Sequence, residues 1–145
     1  DELQRLRADS SLMPSAIWEL LRWDSPVQLN VRAALRDVEI LGESVGYGQI
    51  YTVLQGSGNR DEAAYPVADG LDVGRFVDRS TPPPLSFGWG PHHCLGAALA
   101  RAEGEIVFGG LLDRFASLEL LEAPSFRSSF TLRGLTSLNV ACRSR

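Results

Sequence analysis

The sequence predicts an α+β fold that is mainly α. Three observations carry this. Apolar residues recur at helical spacing in two stretches, 14–24 and 95–116. The alternating or β-branched segments are all short, so they suit small sheets and not one large sheet. A polar meander over 56–81, Pro82–Pro84 and a glycine-rich run over 87–96 separate the two helical stretches.

In chain order, a helix is expected over 2–8 and a second over 14–24, with Ser15 behind Pro14 as its candidate cap. The alternation of VQLNVRA predicts a strand over 27–34, followed by hairpin strands at 38–40 and 49–54. Pro82–Pro84 suit neither a helix interior nor a central strand, so they form an extended link. In the long helix, Leu95, Leu99, Ala102, Ile106, Leu112 and Phe115 fall on one candidate inner face. Its charged residues Arg101, Glu103, Glu105, Asp113 and Arg114 read mostly as a solvated face. Short strands at 117–122 and 135–142 end the chain.

The chain has 145 residues, a net charge of −4 and 44% apolar residues, which suits one soluble domain or a piece of one. An acidic balance gives no reason to expect nucleic acid. No run approaches the ~20 apolar residues of a membrane span, and no signal-peptide pattern opens the chain. Two distant cysteines suggest no disulfide framework, so a cytoplasmic location is expected.

Cys94 is the most informative residue. It lies at the seam between the loop FGWGP and an apolar helix. Free N–H groups of a first helical turn and the helix dipole favour a thiolate there, hence a ligand or a nucleophile. A free Cys is also commonly a small buried hydrophobe, and position alone leaves both open. The neighbouring His92 and His93 invite a zinc site. A structural site needs four ligands in spaced pairs, and Cys142 is the only other Cys.

The run FGWGPHHCLG followed by AALARAEGE resembles the haem-binding loop of the cytochrome P-450 family. Phe87, Gly90, Cys94 and Gly96 fill the pattern, and His92 fits its bacterial variant. Trp89 and His93 depart from it. Two further stretches match. Glu19 and Arg22, one helical turn apart before Asp-Ser-Pro-Val, resemble the family's K-helix motif, and Arg75 in GLDVGRF resembles the arginine that joins it. GSGNRDEAAYP resembles the Asn-Arg-Asp-Pro segment, with Glu62 in place of Pro, and Val67 and Ala68 replace a common Asp-Pro.

The resemblance implies the C-terminal part of the cytochrome P-450 fold: K helix, small β-sheets, meander, Cys-ligand loop, L helix and terminal hairpin. Residues 1–145 would then be the haem-binding portion of a single domain, its N-terminal part absent, and the start at Asp1 without Met fits a fragment. By resemblance, Cys94 is the axial thiolate on the iron of heme b (iron protoporphyrin IX), and its electron donation favours O–O cleavage. Phe87 shields the sulfur, and Gly88 belongs to the cofactor-binding loop. Leu95 and Gly96 offer backbone N–H groups to the sulfur. His92 and Arg32 hold the haem propionates, a guanidinium pairing with carboxylate in bidentate fashion. Read without the family, Arg32 is equally a strand residue facing solvent, and Glu19–Arg22 a solvated pair. With it, Glu19, Arg22 and Arg75 form a buried structural lock.

The implied activity is a haem-thiolate monooxygenase that inserts one atom of O2 into a small organic substrate. Its electrons come from a ferredoxin or flavoprotein reductase. Gln28–Val31 would border the substrate pocket. The alternatives are a non-catalytic remnant that binds haem weakly, and a fragment that binds none. In either case the isolated chain is expected to be inactive and prone to associate through uncovered apolar surface.

Overall fold

Asp1 caps the first helix through a bond from Leu3 N–H to its side chain, and α1 runs over Glu2–Ala8. The computed structural model describes residues 1–78 and 80–145. One turn of 3-10 helix, Ser10–Leu12, leads into α2, Met13–Trp23, with Pro14 in its first turn, where a missing N–H costs nothing. Ser15 is not the cap. It lies inside α2, buried, and its Oγ accepts a bond from Phe76 N–H at 2.9 Å.

Among the described residues the strands form four two-stranded antiparallel sheets. The predicted strand 27–34 is divided. Its first half joins the C-terminal region through the Val27–Leu132 bridge and the bond from Gln28 N–H to Thr131 O. Its second half is β1, Asn30–Ala33. The predicted hairpin of 38–40 with 49–54 is corrected. β2 (Val38–Ile40) pairs with β3 (Glu43–Val45), and β4 (Ile50–Val53) returns to β1. Leu41 and Gly42 make the tight turn between β2 and β3 at φ 53° and 83°, the mirror-image geometry that two-residue hairpins favour. One short excursion thus sits within a larger hairpin.

The meander opens with a single helical turn, α3 (Gln55–Gly58), and ends at extended Pro84. The long helix α4 spans Ala97–Arg114, inside the predicted 95–116. Beyond it, β5 (Phe115–Leu120) pairs with β8 (Val140–Ser144), and β6 (Ser125–Phe126) with β7 (Leu135–Ser137), so the predicted strand 135–142 is two strands.

The core lies where α1, α2 and α4 meet. Leu6, Ala16, Val73 and Leu112 are its buried residues, with Leu12 and Met13 packed against them. The inward face of α4 agrees with the expected one at Leu112 and differs elsewhere. Arg101, Gly104 and Leu112 face α1 and α2, whereas Leu95, Leu99, Ala102 and Ile106 are exposed. Close packing explains the choice. A Cβ at Gly104 would lie 3.2 Å from Ile17 Cδ1, so a small residue is what lets α4 rest on α2. Arg101 is also not on a solvated face, because its guanidinium carbon stands 4.4 Å above the Trp18 ring.

Candidate functional site

The loop around Cys94 is shaped by two glycines. Gly88 and Gly90 sit at φ 73° and 76°, where an L side chain is strained. These turns fold the chain back so that Cys94 N–H donates to Phe87 O at 2.9 Å and His93 N–H to Gly90 O at 3.0 Å. α4 then starts at once, with Ala97 N–H reaching Cys94 O at 3.3 Å and Ala100 N–H reaching Gly96 O at 2.9 Å. Cys94 is not the buried hydrophobe of the bland reading: it is a free, exposed thiol at the mouth of an 18-residue helix. Leu95 and Gly96 stand immediately ahead of the first turn, and both are exposed. Gly96 has an ordinary φ of −83°, and a Cβ there would meet only Cys94 Sγ, at 3.8 Å. Nothing among the described residues requires a glycine at that position.

Cys94 opens onto a cleft of about 280 Å³. His92 and Gly88 line it from the same loop, Arg32 from β1, and Leu21, Val27 and Phe87 supply an apolar wall. A larger cleft, of about 420 Å³, lies away from the thiol beside Phe126 and Phe130. The Arg32 side chain is half-buried and donates to Val31 O at 3.0 Å. Among the described residues it has no acidic partner. One cleft therefore holds a thiol, a guanidinium and an imidazole around apolar carbon. That donor set fits a planar group carrying a soft metal ligand site, hydrophobic faces and carboxylates. Zinc is a poorer fit, since no group of three or more His, Cys, Asp or Glu side chains capable of holding a metal occurs among the described residues.

Behind the loop, Glu19, Arg22 and Arg75 meet in the interior. Glu19 and Arg22 are 0% and 1% exposed. Arg22 forks onto the carboxylate, Nε to Oε2 and Nη2 to Oε1, both at 2.7 Å. Arg75 Nε donates to the same carboxylate at 3.0 and 3.2 Å. The remaining guanidinium donors reach carbonyl oxygens: Arg22 those of Asn59, Ala68 and Gly70, and Arg75 those of Pro66, Val67 and Gly70. Glu19 also accepts Asp72 N–H at 2.9 Å. Two cations and one anion held largely out of water are tolerable because Arg22 places every N–H donor on an acceptor and Arg75 all but one on Nη1. Tyr65 packs beneath Arg22, and burial pushes its phenol above the ordinary range.

Sequence reasoning missed the polar struts between this cluster and the loop. Asn59 is wholly buried. Its Nδ2 donates to Ser86 Oγ at 2.9 Å and its Oδ1 accepts Leu85 N–H at 2.7 Å. Gln55 Nε2 donates to Leu85 O at 2.8 Å, and Ser86 Oγ donates to Leu21 O at 2.6 Å. Short polar residues in a meander read as solvated turns. The one available signal was that Asn59 falls inside the Asn-Arg-Asp run.

The geometry stands beside three comparisons. The family model described as Cytochrome P450 matches residues 4–137. Over 143 residues the chain is 41% identical to the "Putative cytochrome P450 126" of Mycobacterium tuberculosis, covering 99% of this chain and 34% of that protein. It is 40% identical over 140 residues to "Cytochrome p450 CYP199A2" of Rhodopseudomonas palustris, covering 97% and 33%. The crystal structure of P450BioI in complex with a fatty-acyl-ligated acyl carrier protein superposes with a TM-score of 0.91 at 37% identity, covering 97% of this chain and 36% of that one. The chain therefore spans about a third of the length of the relatives it matches. A match across nearly all of its residues, on a fold that presents a free thiol from a glycine-shaped loop, establishes that the chain belongs to the cytochrome P450 family.

Proposed function

We propose that this chain is the haem-ligating portion of a haem-thiolate monooxygenase, with Cys94 as the iron ligand. One observation carries the reading: Cys94, His92 and Arg32 line the same apolar-walled cleft. The cofactor is heme b, held on its propionates by Arg32 and His92. Phe87, which lines the same cleft, would help shield the sulfur once the cofactor is bound. Leu95 and Gly96 would offer backbone N–H groups to it, which would tune its donation to the metal. Haem iron bound to such a thiolate supplies oxygen activation.

The whole protein would insert one oxygen atom into a small organic substrate, with electrons from a ferredoxin or flavoprotein reductase in the cytoplasm. No helix among the described residues is long and apolar enough to cross a membrane. Glu19, Arg22 and Arg75 are a structural lock under the loop and take no part in the chemistry. Gln28–Val31 would border the substrate pocket: Asn30 lines the Cys94 cleft, and Gln28 and Leu29 line the larger cleft beside Phe126.

The test is the ferrous–carbon monoxide spectrum of the chain loaded with iron protoporphyrin IX. A strongly red-shifted Soret band that disappears in Cys94→Ala supports thiolate ligation. A Soret band in the ordinary position indicates imidazole, and the absence of any band favours a fragment that binds no haem.

A further inference from the structure

The cleft explains what Cys94 faces. It does not explain what holds the loop against α2. Trp18 sits in α2 one residue before Glu19, and the ion cluster makes no use of it. Its ring meets Phe87 edge-on, with centroids 6.0 Å apart and planes at 74°. On its other side it meets Phe76 at 6.4 Å, and Phe76 meets Tyr65 at 6.3 Å. Tyr65 lies 5.4 Å below the Arg22 guanidinium carbon. An aromatic column thus runs from the buried ion cluster to the Cys loop, and Trp18 is its node.

Two further contacts make the node specific. Arg101 of α4 stacks on Trp18 at 4.4 Å, and its buried Nε has no hydrogen-bond partner among the described residues, so the indole face stands where an acceptor would. Phe87 meanwhile supplies the carbonyl that accepts the Cys94 N–H at 2.9 Å. Trp18 therefore touches both Arg101 of α4 and Phe87, the residue whose carbonyl tethers Cys94.

We propose that Trp18 is a positioning residue for Cys94: clamped between Arg101 and Phe87, it fixes the Phe87 ring and, through the Phe87 carbonyl, the backbone of the thiol. The geometric part stands on this chain alone, and its consequence for iron rests on Cys94 being the ligand. Removing the indole leaves the Phe87 ring packed only on His93 of its own loop, so the Phe87–Cys94 bond opens more often while the rest of α4 stays closed.

Residue-resolved amide hydrogen exchange on the chain tests this. In Trp18→Ala the Cys94 amide is expected to exchange about tenfold faster, with amides in the middle of α4 within about twofold of the unsubstituted chain. Trp18→Phe, which keeps an aromatic ring, restores most of the protection. If Trp18→Ala does not fold, Trp18→Leu fills volume without a π face and gives the same loop-selective acceleration. Cys94 exchange unchanged in the folded variants, or accelerated only together with the α4 amides, overturns the proposal. In the haem-loaded chain the thiolate-type share of the carbon monoxide spectrum falls with the same variants. A parent chain lacking that signal would overturn the ligand assignment while the exchange result still decides the role of Trp18.

Discussion

The ion cluster under α2 and the Cys loop with α4 are built on opposite terms. In the cluster, Arg22 spends every guanidinium donor, and Arg75 all but one, on a carboxylate or carbonyl of the same chain. In the loop, the thiol is free, His92 and His93 are exposed, and Leu99, Ile106, Val107 and Phe108 of α4 look outward. One region is complete within these 145 residues, and the other presents chemistry outward. The contrast separates what makes this piece fold from what lets it bind.

The largest expected effect lies in the complete region. Glu19→Gln removes the anion that offsets two buried guanidiniums while keeping the side chain's shape, and costs about 3–5 kcal/mol. Urea unfolding measures it. A loss below about 1 kcal/mol would mean water reaches the cluster and the contrast is false.

A smaller effect of opposite sign sits at its margin. Val67 is held at φ 54°, an unfavourable conformation for a β-branched residue, while its carbonyl accepts from Gly70 N–H and Arg75. Its side chain is 74% exposed, so little packing opposes a change. Val67→Asn is expected to stabilise by about 1 kcal/mol, read as a rise in Tm.

The pH dependence follows from carboxylates on the cluster's outer side. Burial alone would raise the Asp72 pKa, but Gly74 N–H and Arg5 outweigh it and hold the carboxyl below its ordinary value. Ser80 lowers Asp78 in the same way, and Ser11 lowers Asp9. These groups bind protons more weakly folded than unfolded. Their stabilisation is therefore present above the ordinary carboxylate range near pH 4 and is lost as pH falls through the depressed values. Tyr65 acts at the other end, since its raised pKa gives stability that is present below about pH 10 and fades above it. Tm measured across pH should show a plateau bounded on both sides, and Asp72→Asn should flatten the acid limb.

The smallest effect on stability belongs to the open region. Leu99 and Phe108 are 64% and 43% exposed, so Leu99→Glu with Phe108→Glu should change unfolding free energy by no more than about 0.5–1 kcal/mol. Sedimentation velocity should show the chain associating before the change and much less after it. A large loss of stability would mean that these side chains are already covered.

The two regions were also unequally readable. α1 and α2 follow from helical spacing to within about a residue. Glu19 with Arg22 is visible as a pair one turn apart, yet only a resemblance brought Arg75 to it, because contacts across more than fifty residues leave no local trace. α4 was found, but within it only Leu112 of the expected inner face is buried. Apolar residues occupy more than one side of it, and Gly104, which sets the contact with Ile17, carries no hydrophobic signal. The β2–β3 excursion was missed because three-residue strands show hardly one period of alternation, and Leu41 takes a left-handed turn position that Asn or Gly usually marks. Asn59 and Gln55 read as surface turns. What buries them is the later return of Leu85 and Ser86, and periodicity does not report that.

X-ray absorption at the iron edge of the haem-loaded chain tests the central claim most directly. A sulfur atom in the first coordination shell, lost in Cys94→Ala and retained in Cys142→Ala, is the predicted result. A first shell of nitrogen and oxygen alone in the unsubstituted chain would contradict it.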